Sequence, residues 1–284
     1  MQKKVLAIND ISCVGRCSLT VALPIISSLG LECSILPTAI LSTHTGGFSD
    51  YTFNDFSDEM LKIAFHWKKL NLHFNTIYTG FLGSIEQVSI VKKIIHMFKD
   101  ENTKIIVDPA MADNGKMYSI FNNDFALEMK KLCEGSDVII PNITEACFLT
   151  ETHYQNFPHN EDFIDTLIEK TRALNVKALV LTGVSYDNKS LGAVTYDYTS
   201  RKKSYYNREI IPEYFHGTGD CFASAFTASY TKGKSLEEAS RIAVDFTVDS
   251  ILETIKYSNI DKKYGVNFEE ALPSLINRCN EGTM

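Results

Sequence analysis

The sequence predicts an α/β fold: a doubly wound, mostly parallel central sheet with helices on both faces. Three observations support this fold class: short apolar runs, amphipathic stretches between those runs, and small or polar residues where the runs end. The chain has 284 residues, and neither an internal repeat nor a low-complexity linker divides it. Because α/β domains often reach this length, we expect a single domain over residues 1–284.

Five short runs rich in apolar and β-branched residues predict the strands. They are Val5–Ile8, Thr76–Thr79, Ile105–Val107, Val138–Ile140 and Leu179–Thr182. Most of them are continuously apolar, which is typical of strands buried on both faces of a parallel sheet. Two later runs, Gly192–Tyr196 and Lys203–Ile210, alternate and are more polar. These two runs predict a hairpin at the edge of the sheet.

Apolar residues at helical spacing occupy the intervals between the strands. Between Met60 and Leu70 they repeat every three or four residues, and Ser57 is the expected N-cap of this helix. The same spacing predicts helices over Val88–Phe98, Phe163–Leu174, Asp220–Thr231 and Leu236–Leu252. Strands and helices that alternate with right-handed crossovers imply a parallel sheet.

Composition excludes several classes of protein. The 28 basic and 35 acidic residues give a net charge of −7, which disfavours non-specific nucleic-acid binding because such binding needs a basic surface. The apolar run after Lys4 ends at Asn9, too short for a signal peptide, and no run of about 18 apolar residues predicts a membrane span. Seven scattered cysteines fit reduced thiols, so we expect a cytoplasmic protein without membrane contact.

Hydrogen-bonding or small residues follow each predicted strand of the parallel sheet. The pairs are Asn9-Asp10, Thr79-Gly80, Asp108-Pro109, Pro141-Asn142 and Thr182-Gly183. In doubly wound folds, ligands bind beyond the carboxyl ends of the strands. The sequence therefore predicts a polar crevice there, lined by these residues.

The segment from His216 to Ala223 is a glycine turn that opens into a helix of small residues. Glycines let a backbone approach a ligand closely, and the N–H groups at a helix start attract anions. Asp220 at the rim of this turn can accept a proton while the N–H groups hold a phosphoryl group. The alternative is that Asp220 only caps the helix. A P-loop and a dinucleotide-binding fingerprint are both absent from the sequence.

This segment resembles the Gly-x-Gly-Asp signature of the ribokinase superfamily, and further matches extend over nearly the whole chain. The resemblance implies that Asp220 is the catalytic base and that Gly217, Thr218 and Gly219 form the anion hole. Asn142 and Glu145 match the superfamily's Asn-x-x-Glu motif, and Asp108 and Glu145 are the implied Mg²⁺ ligands. ATP and Mg²⁺ are the implied cofactors, and a requirement for a monovalent cation such as K⁺ is common in the superfamily.

Within the superfamily, the chain resembles the pyridoxal kinase branch most. Its Thr43–Gly47 loop is similar to that branch's substrate loop, and Thr79–Ser84 has Phe81 where tyrosine is usual. The implied nucleotide-binding residues are Asp108, Asp113, Tyr118, Asn142, Glu145, Thr182 and Gly183. The implied substrate-binding residues are Asp10, Ser12, Val14, His44, Thr45 and Phe81. Asn9-Asp10 departs from the usual Gln-Ser of the branch, so Asp10 or Ser12 takes the role of the serine.

The resemblance implies ATP-dependent phosphorylation of the 5′-hydroxyl of a B6 vitamer: pyridoxal, pyridoxamine or pyridoxine. Hydroxymethylpyrimidine kinase of thiamin synthesis is an alternative with the same chemistry, and a non-catalytic cofactor-binding protein is an alternative of another class. The small-molecule substrate is the expected partner. Relatives in the superfamily are usually homodimers, so we expect a homodimer.

Overall fold

A computed structural model describes residues 2–257 and 261–281 of the chain. Among them, nine strands form one sheet and two short strands form a separate hairpin. The strands are β1 (Lys4–Val14), β2 (Glu32–Thr43), β3 (Phe53–Asp55), β4 (Thr76–Thr79), β5 (Lys104–Val107), β6 (Ala112–Asp113), β7 (Lys116–Met117), β8 (Val138–Ile139), β9 (Ala178–Val184), β10 (Ser190–Asp197) and β11 (Lys202–Glu209). The sheet order is β11-β10-β9-β8-β5-β4-β1-β2-β3, and β6 pairs with β7.

The core of the sheet is parallel and its two edges are antiparallel. Neighbouring strands from β2 through β1, β4, β5 and β8 to β9 pair in parallel. The predicted edge hairpin is confirmed, because β10 and β11 pair antiparallel beside β9. At the other edge, the three-residue strand β3 pairs antiparallel with β2.

Helices cover both faces of this sheet, as the sequence predicted. They are α1 (Leu19–Ser28), α2 (Ser57–Lys69), α3 (Ile85–Phe98), α4 (Asn123–Cys133), α5 (Ile143–Thr150), α6 (Glu161–Thr171), α7 (Thr218–Lys232), α8 (Leu236–Ile255) and α9 (Phe268–Asn280). Short 3-10 turns span Arg172–Leu174 and Lys262–Tyr264. Helices α2 to α6 pack on one face. Helices α1, α7, α8 and α9 pack on the other, which we call the α7 face.

The continuous apolar runs are explained by burial on both faces. In β4, Ile77 joins the core under α2 to α6, whereas the next residue, Tyr78, joins the core of the α7 face. Successive side chains of a strand point to opposite faces, so a strand covered on both sides needs apolar residues at every position. None of the helices in the described ranges is long and apolar enough to cross a membrane.

The expected N-cap of α2 is wrong. Ser57 is the first helical residue, and Phe56 occupies the cap position without a side-chain cap. The Asp55 carboxylate instead accepts a hydrogen bond from the Ser57 backbone N–H at 2.7 Å. The side chain of Asp55, two residues before Ser57, therefore pairs with the first backbone N–H of the helix, which has no intrahelical acceptor.

Candidate active site

Three adjacent strands place Asn9, Gly80 and Asp108 in one row at the carboxyl edge of the sheet. Ala7 pairs with Tyr78, and Tyr78 pairs with Ile106; all three lie on the α7 face. Residues two positions further along a strand share its face. Asn9, Gly80 and Asp108 therefore face the same side of the sheet as these three core residues, toward the start of α7.

The side chain of Asn9 is held in a fixed orientation in this row. Its Oδ1 accepts hydrogen bonds from the backbone N–H groups of Asp10 and Phe81, both at 2.9 Å. A Cβ added to Gly80 would lie 2.2 Å from the Asn9 Nδ2, so only glycine leaves room for this amide. Nδ2 is buried and has no hydrogen-bond partner within the described part of the chain. The nearby Asp220 carboxyl is an acceptor for this donor, since the Asn9 amide lowers the pKa of Asp220.

The turn before α7 requires a glycine for two independent reasons. Gly217 has φ +77°, which favours glycine, and an added Cβ would lie 2.0 Å from the carbonyl oxygen of Arg16. Gly217 is also the N-cap of α7, so Thr218 and Gly219 form its first turn, where backbone N–H groups lack intrahelical acceptors. The turn and the helix start together form a site suited to an anion.

The hypothesis that Asp220 only caps the helix is wrong, because Gly217 holds the cap position and Asp220 lies inside the first turn. Burial, and to a smaller extent the nearby Asp10 carboxylate, raise the pKa of the Asp220 carboxyl from 3.8 to about 7. The backbone N–H of Ser18 and the amide of Asn9 oppose this rise in pKa. A carboxyl with a pKa near neutrality is matched to general-base catalysis at physiological pH.

Asp108 and Glu145 form an acidic pair on the other side of the crevice. Burial, and then the charges of Glu145 and Asp220, raise the pKa of Asp108 well above its ordinary value. Burial likewise raises the pKa of Glu145, and the backbone N–H groups of Asn142 and Met111 that bond to it oppose this rise. Carboxylates that repel each other in this way are stabilised when a divalent cation lies between them. The pair therefore fits Mg²⁺.

Glu145 is held rigidly by the start of α5. Asn142 and Glu145 form a reciprocal capping box, with hydrogen bonds of 2.9 Å and 2.8 Å. The second Glu145 oxygen accepts from the Met111 N–H at 3.1 Å. No group of three or more His, Cys, Asp or Glu side chains in the described ranges is arranged to hold a metal ion. Water and phosphate oxygens would have to complete a magnesium shell here.

The predicted nucleotide-binding residues lie around the carboxyl ends of β8 and β9. The Thr182 N–H donates to the Pro141 carbonyl at 2.9 Å, and Gly183 follows with φ +75°. Asn142 Nδ2 donates to the Ala112 carbonyl at 2.8 Å, which ties the β6–β7 hairpin to the start of α5. This hairpin and the residue after it carry Asp113 and Tyr118.

The predicted substrate-binding residues differ in their accessibility. Asp10 is 4% exposed and accepts a hydrogen bond from the buried Ser12 hydroxyl at 3.1 Å. Burial raises the pKa of Asp10, against the effect of hydrogen bonds from Ser18 and Ser12. Val14 and Thr45 are exposed, whereas Phe81 is half-buried. Asp10 therefore belongs to the floor of the crevice, while Val14 and Thr45 lie at its rim.

Both ring nitrogens of His44, an implied substrate-binding residue, lie within hydrogen-bonding distance of backbone atoms. Nδ1 accepts from the Gly46 N–H at 3.1 Å, and Nε2 lies 2.6 Å from the Lys263 carbonyl oxygen. These bonds favour a neutral ring with its proton on Nε2. Burial also lowers the pKa of His44. In this arrangement, His44 offers a ligand its ring rather than a hydrogen bond.

The sequence reasoning missed several residues beside the crevice. The His216 ring lies 5.0 Å from the His44 ring, and Gly46 makes room for it, because an added Cβ would lie 2.5 Å from the His216 ring. The Tyr214 hydroxyl donates to Asp113 Oδ2 at 3.0 Å, which joins the loop before α7 to the β6–β7 hairpin. The position of His216 next to the glycine turn was a usable signal; nothing in the sequence indicated the Tyr214 contact.

Comparisons with known proteins identify relatives of this chain. The sequence profile of the phosphomethylpyrimidine kinase family matches residues 23–265. A pyridoxal kinase of Dictyostelium discoideum is 25% identical over 238 residues, which cover 79% of this chain and 77% of the relative.

Solved structures show the same fold. A Bacteroides thetaiotaomicron protein assigned to the phosphomethylpyrimidine kinases, in an orthorhombic crystal form with pyridoxal, has a TM-score of 0.91 and 34% identity, covering 97% of this chain and 96% of that one. The pyridoxal kinase of Lactobacillus plantarum has a TM-score of 0.88 and 27% identity, covering 99% of each chain.

The parallel sheet, its edge hairpin and the Gly217–Asp220 turn define a kinase of the ribokinase-like superfamily, an enzyme that phosphorylates an alcohol group. Within that superfamily, the chain belongs to the phosphomethylpyrimidine kinase family.

Proposed function

We propose that the enzyme transfers the γ-phosphoryl group of ATP to the 5′-hydroxyl of a B6 vitamer: pyridoxal, pyridoxamine or pyridoxine. One observation carries the proposal: Asp220, with a pKa of about 7, lies in the first turn of α7 beside the glycine turn. The choice of a B6 vitamer is supported by the pyridoxal in crystals of the similar Bacteroides protein.

In the proposed reaction, Asp220 accepts the proton of the 5′-hydroxyl. The hydroxyl oxygen forms a bond to the γ-phosphorus while the bond from that phosphorus to the β,γ-bridging oxygen breaks, and ADP leaves. The N–H groups of Thr218 and Gly219 stabilise the charge on the transferring oxygens, since these donors are fixed before the reaction begins. Mg²⁺ supported by Asp108 and Glu145 would neutralise charge on the phosphates.

The nucleotide would lie over the carboxyl ends of β8 and β9. Thr182 and Gly183 would contact it from β9, and Asn142 would lie near its phosphates. Asp113 and Tyr118 would cover it from the β6–β7 side. Burial and the surrounding acidic groups raise the pKa of Tyr118, so its hydroxyl stays protonated and can donate a hydrogen bond.

The vitamer would lie between the floor of the crevice and the loop after β2. The Asp10 and Ser12 pair would meet polar atoms of the pyridine ring, because the carboxyl and the hydroxyl are already joined and buried. Phe81, whose ring lies 5.7 Å from that of Phe121, would contact the ring face. His44, Thr45 and Val14 would close the outer side.

Hydroxymethylpyrimidine is the second candidate substrate, because the family that matches residues 23–265 is described as phosphomethylpyrimidine kinase. A pyrimidine ring also carries nitrogen acceptors, which the Ser12 hydroxyl beside Asp10 could bond. The reaction at the hydroxymethyl group would be the same. Only the relative turnover of the two ring types distinguishes these candidates.

The test measures ATP consumption with Mg²⁺ and, separately, pyridoxal, pyridoxamine, pyridoxine and hydroxymethylpyrimidine. We expect turnover of at least one B6 vitamer well above that of the pyrimidine. Asp220→Asn should lower turnover by at least about a hundredfold, since it removes the base. Asp162→Asn, on the exposed first turn of α6, is the matched control and should keep wild-type turnover. Turnover of the pyrimidine alone would refute the choice of substrate, and near-normal turnover by Asp220→Asn would refute the mechanism.

A further inference from the structure

Tyr78 places a fully buried hydroxyl directly below the row of Asn9, Gly80 and Asp108. The residue is 0% exposed, and its side chain lies in the core of the α7 face. Its hydroxyl has no hydrogen-bond partner among residues 2–257 and 261–281. Native proteins pair nearly all buried polar atoms, so a lone buried hydroxyl next to an active site needs an explanation.

Ser224 presents a second hydroxyl of the same kind. It is 0% exposed, and its Oγ also lacks a hydrogen-bond partner in the described ranges. Ser224 follows Asp220 by four residues on α7, so the two side chains lie on the same face of the helix, one turn apart. Two unpaired hydroxyls therefore lie beneath the carboxylate of the proposed base.

The packing of α7 against β4 brings these two hydroxyls together. A hydrogen bond of 2.8 Å between Thr76 Oγ1 and Thr231 Oγ1 fixes the helix on the strand, and the helix start lies at the carboxyl end of the strand. From this contact, Tyr78 lies about 7 Å further along the strand. Ser224 lies about 10 Å further along the helix. The tyrosine side chain spans the remaining few ångströms toward Ser224.

The charges around the Tyr78 hydroxyl determine what it can do. Burial raises its pKa well above the ordinary value, the Asp108 and Asp220 carboxylates raise it further, and the neighbouring Ser224 hydroxyl opposes this rise. The hydroxyl therefore keeps its proton throughout the cycle and can act only as a neutral donor or acceptor. Carboxylates are the strongest nearby acceptors for such a donor.

We propose that Tyr78 is a positioning residue for Asp220: its hydroxyl and that of Ser224 supply additional neutral donors that keep this carboxylate ionised when substrates exclude water from the crevice. They add to the Ser18 N–H and the Asn9 amide, which already act on the same carboxyl. The inference rests on the kinase function proposed above. Catalytic hydrogen bonds are often long or misaligned before ligands bind and shorten in the complex. A phenylalanine would fill the same volume but could not donate.

Tyr78→Phe tests this role because it removes a single oxygen. Without the donor, the pKa of Asp220 should rise, so the acidic limb of the kcat profile should move to higher pH by about one unit. At pH values below the new pKa, kcat should be about tenfold lower than in the wild type. KM for ATP and for the vitamer should stay within about twofold, because neither ligand contacts Tyr78. The thermal midpoint should change little, since the contact between the Tyr78 and Ser224 hydroxyls lacks hydrogen-bonding geometry before substrates bind.

Two further variants make the result specific. Ser224→Ala should shift the kcat profile in the same direction, and the double variant should be less affected than the product of the two single effects. Tyr198→Phe is the matched control: its hydroxyl donates to the Ile168 carbonyl at 2.7 Å on the other face, so the profile should not move. An unshifted profile for Tyr78→Phe, or equal losses of kcat at every pH together with a lower thermal midpoint, would overturn the inference.

A measurement that needs no turnover separates this inference from the proposed function. The stability difference between Asp220→Asn and its parent changes with pH and levels off once Asp220 of the folded parent is fully ionised. The pH at which it levels off therefore reports the pKa of Asp220 in the folded protein. This pH should be higher in the Tyr78→Phe background. If neither a vitamer nor the pyrimidine is phosphorylated, the proposed function fails. Independently of that result, the inference on Tyr78 is overturned if the stability difference levels off at the same pH with and without Tyr78→Phe.

Discussion

Asp220→Asn should abolish turnover and yet stabilise the folded protein above neutral pH. The carboxylate is ionised in the unfolded chain at pH 8.5, whereas in the folded protein its partial burial in the first turn of α7 and the nearby Asp10 carboxylate disfavour its charge. Folding therefore opposes its ionisation. An asparagine of the same shape carries no charge, so it avoids this unfavourable free energy.

The size of the effect follows from the pKa of Asp220, which rises from 3.8 to about 7 on folding. Each unit corresponds to about 1.4 kcal/mol, so the ceiling is about 4 kcal/mol. The folded state of the wild type binds the Asp220 proton more tightly than the unfolded state does. The stability that this proton gives the wild type is fully present below pH 3.8 and is lost as pH rises to about 7. Because the side chain is partly exposed, solvent screening reduces the expected gain to about 1–3 kcal/mol.

The assay is urea unfolding of the wild type and Asp220→Asn at pH 5 and pH 8.5. The stability advantage of the variant should grow by about 1–2 kcal/mol between the two pH values, because most of the titration lies between them. Asp162→Asn, exposed on α6, should show no such growth. A variant that is less stable than the wild type at pH 8.5, or a pH-independent difference, would refute the account of a buried, unfavourable charge.

Two glycine substitutions test the backbone of the site. Gly217→Ala should lower turnover at least about tenfold and cost more stability than Gly30→Ala, which has nearly the same positive φ but no atom within 4 Å of the added Cβ. Equal losses of stability would show that the Arg16 carbonyl oxygen does not restrict the turn. Gly80→Ala should displace the Asn9 amide and lower kcat at least about tenfold with a smaller change in KM, as steady-state kinetics would show; wild-type kcat would remove Asn9 from the proposed site.

Much of the fold could be predicted from the sequence because its parallel strands are buried on both faces. All five predicted runs are strands of the central sheet, and the polar pair of runs is its edge hairpin. Helices α1, α4 and α9 and strand β2 were not predicted; Pro24, Pro273 and Pro37 interrupt the patterns of α1, α9 and β2. The expectation that α7 and α8 close the chain is wrong, because α9 follows them. In the structure, Pro37 pairs with Asn9 where the register between β1 and β2 shifts, so tertiary contacts accommodate the proline.

The site was predictable where one local segment carries the chemistry. The glycine turn, Asp220 and the Asn142–Glu145 motif are each continuous in sequence, and the structure brings them to the same crevice. The hydrogen bonds of the His44 ring were less predictable, because one of them joins the ring to a carbonyl 219 residues away in the chain. Contacts over such separations leave no local pattern.

The sequence by itself determined the alternation of buried strands with amphipathic helices, the glycine turn and the types of acidic groups available, because these depend on neighbouring residues. Only the tertiary structure decided which groups act together. Asp220 acquires a pKa of about 7 mainly from burial in the first turn of α7, and Tyr78 is buried where α7 packs on β4. The physical reason is that burial and the distances between charges are properties of the packed chain, and they set the free energy of each ionised group.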